Sequence, residues 1–455
     1  MQELPINADE LVSTLLRLAE NEIVCLLDSC GVGHLGSHLL IAGIEPVEVF
    51  EITNDDPSVT LNLLDEILSC DQAAIFTISY EFGKKLLNIP TREKIFSPPE
   101  PDVFLATFDS FIVHDYDTRN TSVCGKIGKI EERLRGEISD FRSEISDLRF
   151  EISDSRSEIK DRSAKVTSNF TKPEYLAAIE VIKERIRRGD TFQTNLTQQL
   201  SVELQKDSSP AAIFERLRRD HPAPFSTFIK RTDSTIISAS PERFFRVRSP
   251  HVSKGNARAI STSPIKGTRR RGESITEDER LRNDLLTSEK DRAENTMIVD
   301  LLRNDLGRVC EFGSVNVEKL CDLEEHPTLF HLVSTINGEL RDDVKFSDIL
   351  RAVFPCGSIT GAPKISTMKI IDEIETADRG LSMGAIGYYL PTTWHSSLAT
   401  CDLSVAIRTM VVRDNVATFN VGGGITIDSD PEKEFDETLL KAKALLNALG
   451  HAGTI

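Results

Sequence analysis

From residue 137 the chain repeats every seven residues: Glu-Ile-Ser-Asp-Phe-Arg-Ser, Glu-Ile-Ser-Asp-Leu-Arg-Phe, Glu-Ile-Ser-Asp-Ser-Arg-Ser, then Glu-Ile-Lys-Asp-Arg. A period of seven is a helical period and cannot alternate across a strand, so this stretch is excluded from any sheet. Its apolar seam runs Ile138, Phe141, Ile145, Leu148, Ile152, Ser155, Ile159, spaced by three and four, with Glu and Arg on the flanks. Ser155 interrupts the seam, and Ser and Asp recur in each heptad at low helix propensity. The expectation is therefore a repeat expansion in a tolerant surface loop, forming a solitary or frayed helix, in preference to a docking coiled coil. The repeat divides the chain into an N-terminal region 1–125, an insert 126–165 and a C-terminal region 166–455.

The 455 residues suffice for one large or several ordinary domains, and 39% apolar content suffices for real cores. A net charge of −18, from 72 acids against 54 bases, argues against a general phosphate-backbone binder despite the run Arg269 to Arg271, so nucleic acid is not expected as a partner. The eight cysteines are scattered without a CxxC pair, which implies neither zinc nor a disulfide scaffold and fits a reducing cytoplasm. The start, Met-Gln-Glu-Leu-Pro, has no basic segment leading into an apolar one, and no apolar run approaches bilayer length, so neither export nor membrane insertion is expected.

Periodicity predicts helices over 9–20, 172–188, 210–219, 277–306, 346–353, 363–375 and 431–449. Strands are expected over 23–27, 74–80, 103–114, 192–200, 225–230, 234–239, 313–319, 328–339, 384–390, 399–412 and 415–427. That order is α+β and rich in antiparallel strands, unlike a regular βαβ array.

Several residues have the chemistry for a site. Lys266 lies between Pro264-Ile265 and Gly267, which restrain the backbone before it and free it after; a lysine held still and desolvated becomes a nucleophile or base, although most lysines are solvated charges. Asp291 and Glu294 are one turn apart on a helix, with Glu294 on the face of Met297, Ile298 and Leu301. Glu434 and Glu437 repeat the spacing on the last helix, with Lys441 one turn on. Two such pairs can offer oxygen ligands to Mg²⁺, or meet arginines, or face solvent. Gly422-Gly-Gly424 and Gly357-Ser-Ile-Thr-Gly-Ala-Pro363 are expected as turns able to present N–H groups to an anion. Arg408 is read as a central-strand arginine needing an anionic partner, His331 as a histidine in an apolar strand, and Glu242 as an acid following Pro241 at a strand end.

In this order the motifs resemble the chorismate-utilising enzyme family over residues 170–450: Phe192-Gln-x-Asn-Leu, Ser238-Ala-Ser-Pro-Glu-Arg-Phe244, Pro264-Ile-Lys-Gly-Thr268, Lys290-Asp-Arg-Ala-Glu-Asn, Asp300-Leu-Leu-Arg-Asn-Asp-Leu-Gly-Arg308, His331-Leu-Val-Ser334, Gly357-Ser-Ile-Thr-Gly-Ala-Pro-Lys364, Asp402-Leu-Ser-Val-Ala-Ile-Arg408 and Gly422-Gly-Gly-Ile. Leu26-Leu-Asp-Ser29 and Ser79-Tyr-Glu-Phe-Gly83 resemble the family's N-terminal region more weakly. The implied fold is a large antiparallel-rich β-sandwich with helices outside, here with the heptad helix inserted. Pro-Ile-Lys-Gly-Thr is most similar to the aminodeoxychorismate synthase component I branch, since anthranilate synthases carry alanine at the lysine. Gln193 resembles both amination branches and points to ammonia over water.

The resemblance implies Mg²⁺ held by Glu294 and Glu437 with Asp291 and Glu434 in support. It implies Tyr388, Arg408, Lys441 and the amides of Gly422, Gly423 and Gly424 on substrate carboxylates, Thr360 lining the site and His331 touching substrate. Lys266 would be the nucleophile and Glu242 the acid in forming 4-amino-4-deoxychorismate from chorismate and ammonia, with ammonia supplied by a separate glutamine amidotransferase subunit. An anthranilate synthase component I is the alternative enzyme, disfavoured by Lys266. A non-catalytic scaffold is disfavoured by the intact acids.

Overall fold

The computed structural model describes residues 2–451 apart from 33–37, 96–98, 127–128, 149–164, 206–207, 250–256, 326–328, 392–393 and 395–398. Two antiparallel sheets face each other. The first runs from the edge strand Gln2–Leu4 through Asn120–Gly125, Ser110–Asp115, Leu39–Ile44, Val24–Asp28, Phe225–Lys230, Ser234–Ser240, Thr409–Arg413, Val416–Ile425 and Gln193–Glu203 to Gly361–Ala362. The second runs from Ile265–Arg270 through Leu329–Glu339, Ala259–Ser263, Arg243–Arg248, Cys401–Val405, Ala385–Tyr389, Ala73–Ile78 and Val103–Phe108 to Glu48–Ile52. Cys25, Ile41 and Ile236 of the first sheet pack on Ile75, Phe104 and Ile386 of the second, which makes the pair a sandwich.

Helices close the outer faces, each through an apolar stripe at helical spacing. Leu11 and Leu15 of Ala8–Leu18, Phe214 and Leu217 of Pro210–Asp220, and Leu445 and Leu446 of Pro431–Ala448 cover the first sheet. Leu61 and Leu64 of Pro57–Leu68, Ile349 and Leu350 of Phe346–Val353, and Ile298 and Leu302 of Glu289–Gly307 cover the second. Each of these side chains contributes about 1.5–3 kcal/mol by leaving water. Among the described residues no helix is long and apolar enough to cross a membrane.

Three expected elements are broken in ways that shape the site. The run 103–114 is two strands, Val103–Phe108 in the second sheet and Ser110–Asp115 in the first. The run 399–412 divides likewise into Cys401–Val405 and Thr409–Arg413, so Arg408 is at a corner between the sheets, with φ +49°, and not in a central strand. Strands buried on both faces read as continuous apolar runs, which hides such corners. The helix over 277–306 is two, Ile275–Thr287 and Glu289–Gly307. Ser288 ends one in extended conformation and caps the next by accepting from the Asp291 N–H.

The heptad region begins as the helix Lys129–Leu148. Its first turns are not solitary: Leu134 and Ile138 are buried in the same cluster as Leu11 and Leu15, and Arg17 donates to the Glu137 carbonyl at 2.7 Å. Seam positions Ile152, Ser155 and Ile159 lie outside the described residues. Residues 1–125 supply strands to both sheets, pairing Val24–Asp28 with Phe225–Lys230 and Ala73–Ile78 with Ala385–Tyr389.

Candidate active site

Two corners where the chain passes between the sheets lie side by side. Ser234–Ser240 hands over to Arg243–Arg248 through Pro241-Glu242, and Cys401–Val405 to Thr409–Arg413 through Arg408. The Val405 N–H donates to the Glu242 carbonyl at 3.0 Å, and the Ala239 N–H to the Arg408 carbonyl at 3.0 Å. Corners tied in this way hold one acid and one cation at the mouth of the sandwich.

The Glu242 carboxyl is buried, and its Oε1 has no hydrogen-bond partner among the described residues. Burial pushes its pKa up, against the Ser358 hydroxyl, the Lys266 charge and the Ile265 amide, which favour the anion. An upward shift is the direction that suits a general acid. Lys266 is half-buried in the edge strand Ile265–Arg270, whose pairing with Leu329–Glu339 slips between Ile265 and Thr268. Gly267, at φ +84°, makes that slip possible; a Cβ there would meet Leu285 Cδ1 at 2.9 Å and Asp291 Cβ at 3.0 Å. The Lys266 Nζ donates to the Ser358 carbonyl at 3.1 Å.

Around this pair stand three predicted residues. His331 Nδ1 meets Thr268 Oγ1 at 2.9 Å across the same strand pair. Thr360, fully buried, closes the Gly357–Ile359 turn by donating to the Cys356 and Gly357 carbonyls at 3.1 and 3.3 Å. Gln193 begins the strand Gln193–Glu203, and its buried Oε1 has no hydrogen-bond partner among the described residues. Its amide occupies space that only glycine leaves, because a Cβ on Gly424 would lie 1.9 Å from Gln193 Nε2.

One acid of each pair is joined to the other through a lysine. Lys290 Nζ lies 3.9 Å from Glu294 Oε1 and 3.5 Å from Glu434 Oε1, bridging the helices Glu289–Gly307 and Pro431–Ala448. Glu434 also accepts from Ser429 Oγ at 2.7 Å, Glu437 pairs with Lys441 at 2.7 Å, and Asp291 with Arg269 at 3.1 Å. Burial pushes the Glu294 pKa up, with Lys266 and Lys290 opposing, and its Oε1 makes no hydrogen bond among the described residues. Burial also raises that of Glu437, but Lys441, Lys290 and Lys266 outweigh it and the net shift is downward. Among the described residues no three His, Cys, Asp or Glu side chains converge on one ligand point. Mg²⁺ asks less than that, one or two carboxylates completed by water and substrate oxygens, and Glu294, whose buried Oε1 makes no hydrogen bond among the described residues, fits that demand.

The Gly422 to Gly424 segment is not a turn. It belongs to the strand Val416–Ile425 and pairs with Thr197, Leu196 and Asn195. On its other edge Thr409–Arg413 pairs with Val416 to Thr418, and among the described residues no strand pairs with the glycines on that edge. Lys441 Nζ donates to the Gly422 carbonyl at 2.9 Å, and a Cβ on Gly423 would touch Glu434 Oε2 at 3.3 Å. Glycine here lets the last helix lay its charges against the sheet. The Arg408 guanidinium has no hydrogen bond or ion pair among the described residues, and burial alone lowers its pKa. A half-buried cation with no counter-ion among the described residues is placed to take an anionic ligand. Tyr388 lies in the core between the sheets near Asp402, Arg246 and Arg243, with no hydrogen bond to the Lys266 cluster among the described residues.

Two participants are absent from the sequence-based set. Lys290, four residues before Glu294, had a legible signal in the i,i+4 charge pair. Ser358 had none, since its contact with Lys266 uses a backbone oxygen.

The chorismate binding enzyme family model matches residues 24–447. The chain is 41% identical to anthranilate synthase component 1 of Acetivibrio thermocellus over 290 residues, 64% of this chain and 56% of that protein. It is 35% identical to aminodeoxychorismate synthase component 1 of Bacillus subtilis over 382 residues, 83% of this chain and 76% of that one. The match thus spans little more than half the length of the Acetivibrio relative. The crystal structure of anthranilate synthase component I from Streptococcus pneumoniae superposes with a TM-score of 0.72 at 28% identity, covering 91% of this chain and 93% of that one. With the sandwich, its two tied corners and both acidic helices inside the matched span, the chain belongs to the chorismate-binding enzyme family.

Proposed function

We propose that the chain aminates chorismate at C4, acting as an aminodeoxychorismate synthase component I. The observation that carries this reading is Lys266 Nζ held at 3.1 Å from the Ser358 carbonyl, beside the Glu242 carboxyl, whose pKa burial pushes up. A lysine at this place gives covalent catalysis to displacement of an allylic hydroxyl. The free amine of Lys266 bonds to C2, both ring π bonds shift along the ring to C1=C6 and C4=C5, and the C4–O bond breaks as Glu242 delivers its proton to make water. Ammonia then adds at C4, both π bonds shift back, the C2–N bond breaks to restore Lys266, and the Glu242 carboxylate takes a proton of the new C4 ammonium. One hard displacement becomes two easier ones.

Glu294 and Glu437, backed by Asp291 and Glu434, would hold Mg²⁺, which supplies a hard positive charge for the ring carboxylate. Arg408 and the Gly422 to Gly424 edge, which no strand covers among the described residues, suit the carboxylates, with Lys441 flanking, while Tyr388 lies in the core between the sheets. Gln193 suits a position beside incoming ammonia, delivered by a separate glutamine amidotransferase subunit. The test is incubation of the purified chain with chorismate, ammonium and Mg²⁺. Aminodeoxychorismate is the expected product; anthranilate with pyruvate sinks this reading in favour of the other named activity among the relatives. Intact mass should show a protein adduct that Lys266→Ala abolishes.

A further inference from the structure

We infer that Lys290 is a resident cation of the acidic cluster, joining Glu294 to Glu434 when no divalent ion is bound and yielding to Mg²⁺ when substrate arrives, a role that rests on the Mg²⁺ site proposed above. Its Nζ lies 3.9 Å from Glu294 Oε1 and 3.5 Å from Glu434 Oε1, and so ties the helix Glu289–Gly307 to the helix Pro431–Ala448. The two acids are the fixed partners in this contact. Ser429 Oγ donates to Glu434 Oε1 at 2.7 Å, and a Cβ on Gly423 would lie 3.3 Å from Glu434 Oε2, so the carboxyl is held from both sides. The side chains of Glu294 and Glu434 are 16% and 7% exposed, against 54% for Lys290. The lysine therefore leaves for water without opening a core.

The other two acids have cations of their own. Asp291 pairs with Arg269 at 3.1 Å and Glu437 with Lys441 at 2.7 Å. With Lys266 uncharged, as a nucleophilic amine must be, these four carboxylates stand against three chain cations, and the cluster carries one negative charge. A divalent ion added to that set leaves one positive charge in excess, which the ring carboxylate of the substrate removes. Without Lys290 the cluster carries two negative charges and neutralises the metal by itself. An ammonium and Mg²⁺ drawn to the same two carboxylates repel each other, so the lysine makes metal binding conditional on the substrate.

The experiment titrates the unsubstituted chain, Lys290→Gln and Lys290→Arg with Mn²⁺, counting the free ion by electron paramagnetic resonance, with circular dichroism to confirm the fold of each. Without substrate, Lys290→Gln should bind Mn²⁺ about tenfold more tightly than the unsubstituted chain, and Lys290→Arg, which keeps the charge, should match it. Chorismate added without ammonium should tighten Mn²⁺ binding more in the unsubstituted chain than in Lys290→Gln, where the charge that substrate brings is no longer needed. In EDTA, Lys290→Gln should melt below the unsubstituted chain, and excess Mg²⁺ should lift its melting temperature by the larger amount. Equal or weaker Mn²⁺ binding by Lys290→Gln overturns the inference, and a lysine that merely props the helices together gives the weaker result. Failure of the Mg²⁺ site itself shows separately, in Glu294→Gln: Mn²⁺ held by that variant as tightly as by the unsubstituted chain places the ion elsewhere.

Discussion

Gly422 and Gly424 occupy the same strand two residues apart, yet a methyl group at each meets a different kind of obstacle. At Gly424 it meets the amide end of Gln193, 1.9 Å away, which can rotate; at Gly422 it meets the Leu196 backbone oxygen at 2.0 Å, which cannot. Gly424→Ala should therefore keep its melting temperature within about 2 °C while ammonia-dependent kcat falls about tenfold, as Gln193 is displaced. Gly422→Ala should lose about 1–3 kcal/mol, read by denaturant unfolding. Glu81 is a second residue whose environment sets a measurable sign. Burial pushes its pKa up to about 7 despite Lys84, and its Oε2 has no hydrogen-bond partner among the described residues. An unfolded chain releases that proton near 4.5, so stability falls as pH rises from there to about 7 and is level above. Glu81→Gln should raise the melting temperature at pH 8 by about 2 °C and leave it unchanged at pH 4, measured by calorimetry.

At the scale of elements, the heptad helix is where the periodic signal and the packing disagree most. The period correctly marks a helix, but it cannot tell that Leu134 and Ile138 reach the core beside Leu11 and Leu15. Removing residues 130–162 takes both out of that core and should lower stability, and Leu134→Ala alone should cost about 2–5 kcal/mol. Unchanged melting of the deletion variant would return the whole insert to the surface. The strand runs 103–114 and 399–412 were legible as strands and illegible as corners, because Phe104, Phe108, Phe111 and Ile112 are all buried and no alternation marks the change of sheet. Arg408 was misassigned for that reason. The break at Ser288 was hidden by helix formers on both sides of one capping residue.

At the scale of the whole molecule, the insert is a boundary in sequence and not in the sheets. Cys25 and Leu26 pair with the C-terminal strand Phe225–Lys230, and Ile75 and Phe76 with Ala385–Tyr389, all four residues being buried. Expressed separately, residues 1–125 and 166–455 would each expose an apolar strand edge. Neither fragment should show a cooperative thermal transition by circular dichroism, and mixing should restore one. Independent cooperative melting of either fragment would show that the shared sheets are not needed for folding.

By itself the sequence determined the kinds of chemistry present: a restrained lysine, two acid pairs at helical spacing, an arginine, glycine runs, and the motif order that marks the family. Local signals suffice for these because periodicity and turn chemistry act over a few residues. Only the tertiary structure decided which groups meet. Lys266 finds the Ser358 carbonyl 92 residues away, Lys290 joins Glu294 to Glu434 across two helices, and Glu242 and Arg408 become neighbours because two sheet-to-sheet corners bond to each other. Such contacts follow from how the two sheets close on one another, and no spacing along the chain encodes that distance.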